Sequence, residues 1–428
     1  MVTASPQPTP SDELGVHAHY VARARTLNDR YNTWIGRRRT AHAARRTPET
    51  APAPNGSATS TSAATTSAPN APPQGILAWL RKQAGLMLAY PDTGRGWILR
   101  AALAARSLAR EMEFDAVVSS GPPHSAHIAG MLACIGRREP LYIDMRDPWR
   151  TPVDRVDGTA IRDAALLRSK PWLERIILPR AAAVVANTAA AANLLQTSYP
   201  RLNIAFVPNG IDHERLPPRT PPTDKFTGTS IAYAGTIYLS RDLTPVLRAL
   251  SKLTEELPET RGTLRLRIAG RMDAPHEARF RSQVEKYNLN ELVAVYGPLP
   301  GAEALDLINR SHLTLVLAQD QLLQVPAKLF ECVAMGIPTL VIAEASSAAE
   351  REARRIGAIA CDPEDIDEIV STIRRIWQRE APMAEPLVAI DYDTIADQMD
   401  LVLQGTASAS SAAKHIRTEP HRVNSVRS

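Results

Sequence analysis

Short apolar runs alternate with longer amphipathic stretches along most of the chain from Asp115 onward. The apolar runs predict strands, because a strand of a parallel sheet is buried on both faces and shows no polar alternation. The amphipathic stretches predict the helices that connect these strands. Strands that alternate with helices are typical of a parallel, doubly wound sheet.

Two such alternating sets are present, and a Pro-rich stretch separates them. The predicted strands of the first set are 116–119, 141–145, 183–186 and 204–207, and its predicted helices are 97–112, 124–135, 161–178 and 189–195. We therefore predict an N-terminal Rossmann-like domain over 75–215, in which the first strand is apparently missing. The Pro-rich stretch predicts an interdomain linker at 216–228.

The second set has the clearer pattern. Its predicted strands are 231–233, 264–269, 293–296, 313–317, 339–342 and 358–360, and its predicted helices are 243–256, 276–287, 302–309, 328–335, 348–356 and 365–378. It predicts a second Rossmann-like domain over 229–385, followed by a C-terminal helix within 386–404 that would pack back on the first domain. The predicted fold class is α/β, with two doubly wound parallel-sheet domains facing a cleft.

The remaining segments have a different composition. Residues 1–48 are basic and weakly helical, 49–74 consist mainly of Pro, Ala, Ser and Thr, and 405–428 are polar and basic. We expect 49–74 to be a disordered linker and 405–428 a disordered tail, because neither can bury enough apolar surface. Residues 76–90 predict an amphipathic helix, which would either pack on the core or contact a membrane surface.

Composition excludes several classes of protein. The three cysteines among 428 residues are far apart and have neither metal-ligand nor disulfide spacing. No run is long enough to span a membrane, and the start does not resemble a signal peptide. The net charge of +5 does not imply nucleic acid, since a phosphate-bearing ligand or an anionic membrane surface would suffice. These features indicate a cytoplasmic protein, with peripheral attachment at the inner membrane face as an open alternative.

The segment 325–338 carries the most informative candidate site. A helix is predicted to begin at Pro326 and to end at Gly336, between two apolar strands. A helix N-terminus attracts anions, and Lys328 adds a positive charge one turn in. Glu331 lies on the same face and could accept hydrogen bonds from the two hydroxyls of a ribose. The alternative interpretation is a surface Lys–Glu pair.

Other candidate residues also follow predicted strands. Gly235 would let a phosphate approach the backbone, and Arg241 could hold a phosphate with its planar guanidinium. The loop that ends at Leu299 could present backbone groups to a nucleobase. In the first set, His127 lies in the first turn of a helix and Asp147 follows a strand. A structural histidine and a structural Arg146–Asp147 ion pair are the alternatives.

The order of these motifs resembles that of a family 4 glycosyltransferase of the two-Rossmann (GT-B) type. The motifs are Asp-Ala-Val-Val-Ser-Ser-Gly-Pro-Pro at 115–123, Arg-Asp-Pro-Trp at 146–149, Pro-Asn-Gly-Ile-Asp at 208–212, Ala-Gly-Thr-Ile-Tyr…Arg at 234–241, Ile-Ala-Gly at 268–270, Tyr-Gly-Pro-Leu at 296–299 and Pro-Ala-Lys-Leu-Phe-Glu…Gly-Ile-Pro at 326–338. The resemblance extends over 75–404.

The resemblance implies a hexosyltransferase-like enzyme that moves a sugar, with retention, from a nucleoside diphosphate sugar and uses neither a metal nor a cofactor. By this likeness, Arg241 and Lys328 would neutralise the departing diphosphate, Glu331 would hold the ribose, and Gly235, Thr236 and Leu299 would line the donor site. His127 and Asp147 would face the transferred sugar or the acceptor. The expected acceptor is a glycan or lipid-linked saccharide of the cell envelope, with no nucleic-acid partner.

Two departures from the family pattern leave alternatives open. The family commonly has a second glutamate eight positions before the ribose-binding one, and here that position is Leu323. Family members also open with a hydrophobic strand and a Gly-rich loop, and neither is evident before residue 75. A non-catalytic subunit that binds a nucleotide sugar or a partner enzyme, or a nucleotide-sugar epimerase, would share this architecture.

Overall fold

The structure is a computed structural model. It describes Val2–Thr3, His19–Tyr20, Asp92 and residues 94–149, 154–156, 159–161, 172–237, 240–380 and 391–405. The predicted linker at 49–74 and the predicted helix at 76–90 lie outside these residues. So do nearly all of the basic segment 1–48, the tail beyond 405 and the first part of the predicted helix 161–178.

The described residues form two compact units. One unit contains the described residues up to Leu141, together with Trp149 and the described residues up to Ala181. The other contains Tyr142–Pro148 and the described residues from Ala182 onward.

The second unit contains a six-stranded parallel sheet. Its strands are β9 (Thr229–Ala234), β10 (Leu264–Ala269), β11 (Val293–Gly297), β12 (Leu313–Leu317), β13 (Thr339–Ile342) and β14 (Ile359–Cys361). Their spatial order is β11-β10-β9-β12-β13-β14, with every pair parallel. This is the strand order of a Rossmann fold, so the predicted fold class of this part is confirmed.

Helices connect these strands and bury their apolar faces on the sheet. They are α4 (Thr244–Glu256), the short α5 (Thr260–Thr263), α6 (Ala274–Lys286), α7 (Gly301–Asn309), α8 (Ala327–Ala334), α9 (Ala348–Arg355) and α10 (Ile366–Trp377). All five side chains of β12 are buried, which explains why its sequence is apolar at every position except Thr314. Ser347 and Asp365 cap α9 and α10 by accepting a backbone hydrogen bond in the first turn.

A second parallel arrangement in the same unit is formed by β4 (Leu141–Met145), β7 (Ala183–Ala186) and β8 (Ile204–Phe206). Helix α3 (Ala189–Ser198) connects β7 to β8. The last helix, α11 (Tyr392–Leu403), contacts this part: the Tyr142 hydroxyl donates to the carbonyl of Leu403 at 2.8 Å. Gly210 leaves room for Tyr392, because an added Cβ would lie 2.7 Å from that ring.

The first unit contains α1 (Ile98–Glu111), β3 (Val117–Gly121) and α2 (Ser125–Cys134). The guanidinium of Arg106 on α1 donates to the carbonyls of Ala133 and Ile135 at the end of α2. A cation at the C-terminus of a helix satisfies its last carbonyls and interacts favourably with its dipole. The Arg106 guanidinium on α1 therefore links this helix to the C-terminal end of α2.

Two short strand pairs were not predicted from the sequence. β1 (Val2–Thr3) pairs in parallel with β2 (His19–Tyr20), and β5 (Asp154–Val156) pairs antiparallel with β6 (Thr159–Ile161). Strands of two or three residues with polar members lack the continuous apolar run on which the prediction relied. Within the described segments, no helix has the length and apolarity needed to cross a bilayer.

Candidate active site

The helix predicted between Pro326 and Gly336 is present as α8. Pro326 occupies the N-cap position without a side-chain capping bond, and Gly336 follows the helix end with a φ of 68°. That left-handed conformation is one that glycine adopts without a Cβ penalty, so the chain can turn into β13. The first turn of α8 therefore lies at the carboxyl end of β12, where ligands of open parallel sheets bind.

Lys328 and Glu331 form an ion pair on α8. The ammonium of Lys328 lies 2.5 Å from Oε2 of Glu331, and the two side chains retain 34% and 37% of their exposure. The interpretation as a Lys–Glu pair at helical spacing is thus correct as geometry. An exposed pair of this kind contributes little to stability, which leaves both groups available to a ligand.

The loop after β9 carries three further candidates. Gly235 donates its N–H to the carbonyl of Ala269 at 2.9 Å, which extends the β9–β10 ladder by one bond. Thr236 is exposed, and its carbonyl lies 3.5 Å from Nη1 of Arg241. Gly235, Thr236 and Arg241 therefore lie on the same carboxyl-end rim as α8, because β9 and β12 are paired neighbours.

A close backbone approach holds the β9 loop against the end of β10. Gly270 has a φ of 144°, and a Cβ built on it would lie 1.8 Å from the carbonyl oxygen of Gly235. Ile237 continues the contact by donating to the carbonyl of Arg271 at 2.8 Å. Only glycine fits at position 270, so this residue sets the position of the Gly235–Thr236 backbone.

Leu299 is half-buried in the loop after β11, which is an edge strand of the sheet. A cavity of about 650 Å³ lies beside this loop, lined among others by Gly270, Gly297 and Pro298. Arg241, Lys328 and Glu331 are not among its lining residues. The structure thus places Leu299 on the rim of the sheet but groups its loop with the β10 end rather than with the charged residues.

Asp147 follows β4 and forms a hydrogen bond that the sequence did not reveal. Its Oδ1 accepts from Nε2 of Gln324 at 2.7 Å. Burial raises the pKa of Asp147, while this bond and the nearby Arg146 oppose the rise. The neighbouring carbonyl of Leu323 accepts from the Thr188 hydroxyl at 2.6 Å, so two side chains hold the loop between β12 and α8.

His127 lies in the first unit, in the first turn of α2, and it is fully buried. Its Nδ1 lies 3.0 Å from the Ser119 hydroxyl, and its Nε2 has no hydrogen-bond partner within the described ranges. Burial, and secondarily the nearby His124, lowers the pKa of His127 to about 3. His124 stacks on Trp149 with ring centroids 4.8 Å apart. The His127 imidazole is therefore neutral at physiological pH.

Apart from Leu299, the residues predicted for the site fall into three groups. Gly235, Thr236, Arg241, Lys328 and Glu331 share one rim of the large sheet. Asp147 is joined to the loop that precedes α8, and His127 belongs to the other compact unit. Sequence reasoning overlooked Gln319 and Thr188. The Gln319 amide and the Thr188 hydroxyl each donate to the backbone of a loop at this rim. Both are polar residues just after an apolar strand, and that position could have identified them. Across the described part of the chain, no group of three or more His, Cys, Asp or Glu side chains could hold a metal ion.

Comparisons with protein families give two successive matches. Residues 65–215 match Glyco_transf_4, Glycosyltransferase Family 4, and residues 225–389 match Glycos_transf_1, Glycosyl transferases group 1. The boundary between the matches falls in the Pro-rich stretch. No curated protein matches the chain.

Several solved structures are similar in fold at low sequence identity. Sucrose-phosphate synthase from Thermosynechococcus elongatus is 14% identical with a TM-score of 0.54, over 72% of this chain and 77% of that chain. Trehalose 6-phosphate synthase from Burkholderia multivorans is 13% identical with a TM-score of 0.54, over 81% and 82%. HepE from Anabaena, solved with UDP and glucose, is 15% identical with a TM-score of 0.51, over 74% and 79%. With both family matches in this order on two parallel-sheet α/β domains, the chain belongs to the family 4 glycosyltransferases of the GT-B type and is a transferase.

Proposed function

We propose that this glycosyltransferase moves a sugar, with retention, from a nucleoside diphosphate sugar to a glycan or lipid-linked acceptor in cell-envelope polysaccharide biosynthesis. The observation that carries the donor part is the shared position of Arg241 and Lys328 at the carboxyl ends of the paired strands β9 and β12. Two cations beside a helix N-terminus would stabilise the charge that develops on a departing diphosphate. This stabilisation needs no metal ion.

The other donor-site roles follow from chemistry and position. Glu331 can exchange its bond with Lys328 for bonds from the ribose hydroxyls, since a carboxylate only accepts. Gly235 and Thr236 would bring backbone groups close to the phosphates, and the Leu299 loop would contact the base. The solved structures support a nucleotide donor and a sugar acceptor, since HepE was solved with UDP and glucose and two others are named as sugar-phosphate synthases.

His127 and Asp147 are assigned to the side of the transferred sugar or the acceptor. The neutral imidazole of His127 could exchange one hydrogen bond with a sugar hydroxyl through Nε2. Asp147 could accept from another hydroxyl through the oxygen that Gln324 leaves unused. Contact with an anionic membrane surface would use the basic segment 1–48 and residues 76–90, nearly all of which lie outside the described residues.

The test measures sugar transfer with a panel of nucleoside diphosphate sugars in the wild type, Lys328→Ala and Glu331→Ala. Each variant should lose roughly ten- to a hundredfold in kcat/KM, because a hydrogen bond to a charged group contributes about 1.5–3 kcal/mol. Unchanged turnover in both variants would remove the proposed donor site.

Lys252 and Glu256 on α4 supply the matched control. They lie 3.9 Å apart as another exposed Lys–Glu pair at helical spacing, near the opposite end of the sheet from the rim, and they also pair with Asp367 and Arg374 on α10. Lys252→Ala and Glu256→Ala should keep wild-type turnover. If they lost as much activity as the α8 variants, the loss would reflect general surface charge and not a donor site.

A further inference from the structure

We propose that Gln319 is a positioning residue for Arg241, because its buried amide holds the backbone of the loop that presents this arginine. The inference rests on the proposed role of Arg241 at the donor diphosphate. Gln319 lies two residues beyond the end of β12 and is only 6% exposed. Both of its side-chain hydrogen bonds shown in the structure go to the backbone of Asp242, the residue after Arg241.

Gln319 bonds to the residues on both sides of Arg241. Its side-chain Nε2 donates to the carbonyl of Asp242 at 2.6 Å, and its Oε1 accepts from the N–H of Asp242 at 3.5 Å. Its main-chain carbonyl accepts from the Ser240 hydroxyl at 2.9 Å. The backbone that carries Arg241 is therefore attached to the end of β12 both before and after that residue.

Only an amide side chain can make both side-chain bonds. The main chain of Asp242 presents a donor and an acceptor to the same residue, and glutamine offers an acceptor and a donor in return. Glutamate at position 319 could accept but not donate, and methionine could do neither at nearly the same volume. The residue type thus matches a loop that has left the β9 ladder and needs partners for its backbone.

The backbone next to Gln319 is itself held from the side away from Arg241. The N–H of Asp320 donates to both carboxylate oxygens of Glu344, at 3.0 and 3.1 Å, and Glu344 lies just beyond the end of β13. On the near side, the carboxylate of Asp242 accepts from the N–H of Thr244 at 2.9 Å and pairs with Arg279 at 2.9 Å. Gln319 therefore connects two loops that are each fixed to further elements.

This arrangement reduces the conformational entropy that Arg241 must lose when it binds a phosphate. The long side chain gives up rotamer freedom on binding, and a mobile backbone would add to that cost. A fixed backbone leaves only the side chain to order. Removing the amide should therefore weaken binding of the phosphate part of a nucleotide and leave binding of the nucleoside part unchanged.

The experiment measures the affinity of the full chain, by calorimetry, for UDP, GDP, ADP and dTDP and for their parent nucleosides. The pair that the wild type binds tightest is then used with Gln319→Met, Arg241→Ala and the double variant. Arg241→Ala should weaken diphosphate binding roughly ten- to a hundredfold. Gln319→Met should weaken it roughly three- to tenfold, leave the nucleoside affinity unchanged, and add almost nothing in the Arg241→Ala background.

Asn309 provides the matched control. It ends α7, is 2% exposed, and clamps another backbone segment through Nδ2 to the carbonyl of Pro218 at 2.7 Å and through Oδ1 from the N–H of Thr220 at 3.2 Å. Asn309→Leu removes an equivalent amide clamp before β12, away from the rim, and should leave the ratio of diphosphate to nucleoside affinity unchanged. If Gln319→Met does not fold, Ser240→Ala removes one bond of the set and should show a smaller loss with the same selectivity.

The outcomes separate this inference from the proposed function. If Arg241→Ala leaves diphosphate affinity unchanged, the role of Arg241 is wrong and the inference falls with it. If Arg241→Ala has its expected effect but Gln319→Met or Ser240→Ala weakens nucleoside and diphosphate equally, or is additive with Arg241→Ala, the inference alone is overturned.

Discussion

The side-chain amide of Gln324 donates a 2.7 Å hydrogen bond to the carboxylate of Asp147, across 177 residues of sequence. The same loop receives a second bond, from the Thr188 hydroxyl to the carbonyl of Leu323. The segment that leads into α8 is thus held by residues that follow β4 and β7. Leu323 stands where the family commonly has a glutamate, and here its backbone rather than its side chain carries the polar contact.

We expect Gln324→Leu to destabilise the protein more at pH 8 than at pH 4. Burial raises the folded-state pKa of Asp147, so the folded state holds more protons than the unfolded state above the unfolded pKa, and stability falls as pH rises through this window. Removing the Gln324 bond raises the pKa of Asp147 further, so stability falls by more as pH rises. The loss at pH 8 should be about 1.5–3 kcal/mol, as for a hydrogen bond to a charged group.

Urea unfolding at both pH values measures this difference. Gln321→Leu serves as the control, because it changes an amide in the same loop and keeps the bond to Asp147. An equal loss at pH 4 and pH 8 in Gln324→Leu would mean that the bond does not act on the ionised carboxylate.

A second prediction concerns acid stability and His127. The folded-state pKa of about 3 lies below the unfolded value, so the unfolded state takes up a proton first as pH falls. Stability from this residue is complete above about pH 6.5 and declines toward pH 3 by up to about 1.4 kcal/mol per pH unit. In His127→Gln, unfolding between pH 6.5 and 4 should take up about one proton fewer, so stability should decline less steeply with falling pH.

The measurement is the urea midpoint as a function of pH, with His213→Gln as the control. His213 is exposed, so this variant removes an imidazole without disturbing a buried position. A wild-type slope in His127→Gln would show that the imidazole is already protonated, or accessible to protons, in the folded protein.

Gly270 is the position where an added methyl group should be least tolerated. Gly270→Ala places a Cβ 1.8 Å from the Gly235 carbonyl oxygen at a φ of 144°, so the backbone must shift. We expect a loss of roughly 3 kcal/mol or more, since a left-handed non-glycine conformation alone costs about 1–3 kcal/mol. Thermal unfolding combined with nucleotide affinity should show both lower stability and weaker donor binding.

Gly301→Ala is the natural comparison, because Gly301 begins α7 and has nothing within 4 Å of its added Cβ. It should be neutral or stabilising by up to about 1 kcal/mol. Similar losses at positions 270 and 301 would rule out the close approach as the cause.

The role of Glu331 predicts a specific change in nucleotide selectivity. Wild-type protein should bind a 2′,3′-dideoxynucleoside diphosphate more weakly than the natural one, because the carboxylate loses its hydroxyl donors. In Glu331→Ala the two nucleotides should bind with nearly equal affinity. Competition binding measures the ratio, and Glu256→Ala should retain the wild-type preference. A retained preference in Glu331→Ala would place the ribose elsewhere.

Much of the fold could be predicted because the strands are buried on both faces. The run Leu313–Leu317 is apolar except for the buried Thr314, and it was predicted with the bounds that the structure shows. The end of α8 was also predictable, since Gly336 followed by Pro338 leaves few conformations. The hairpin of Asp154–Val156 and Thr159–Ile161 was missed, because its strands are short and partly polar.

The side-chain contacts of the site could not be predicted in the same way. The Gln319–Asp242 bond spans 77 residues, and neither side chain indicates its partner through periodicity or local turn chemistry. For His127 the sequence left both a site residue and a structural histidine open, and the structure shows that it packs against Ser119 and Trp149. Long-range packing decides both cases, and one sequence does not contain it.

The contact of α11 with the small parallel arrangement has a consequence for how the protein is made. Tyr142 and Leu403 are 261 residues apart, and Ile211 forms an isolated bridge with Asp391. Contacts this distant in sequence close slowly, because the chain between them must first be ordered. During synthesis, β4, β7 and β8 leave the ribosome long before the helix that completes them, so their covered surface stays open until translation is nearly finished. A nascent chain that stops before Tyr392 would lack the ring that packs beside Gly210.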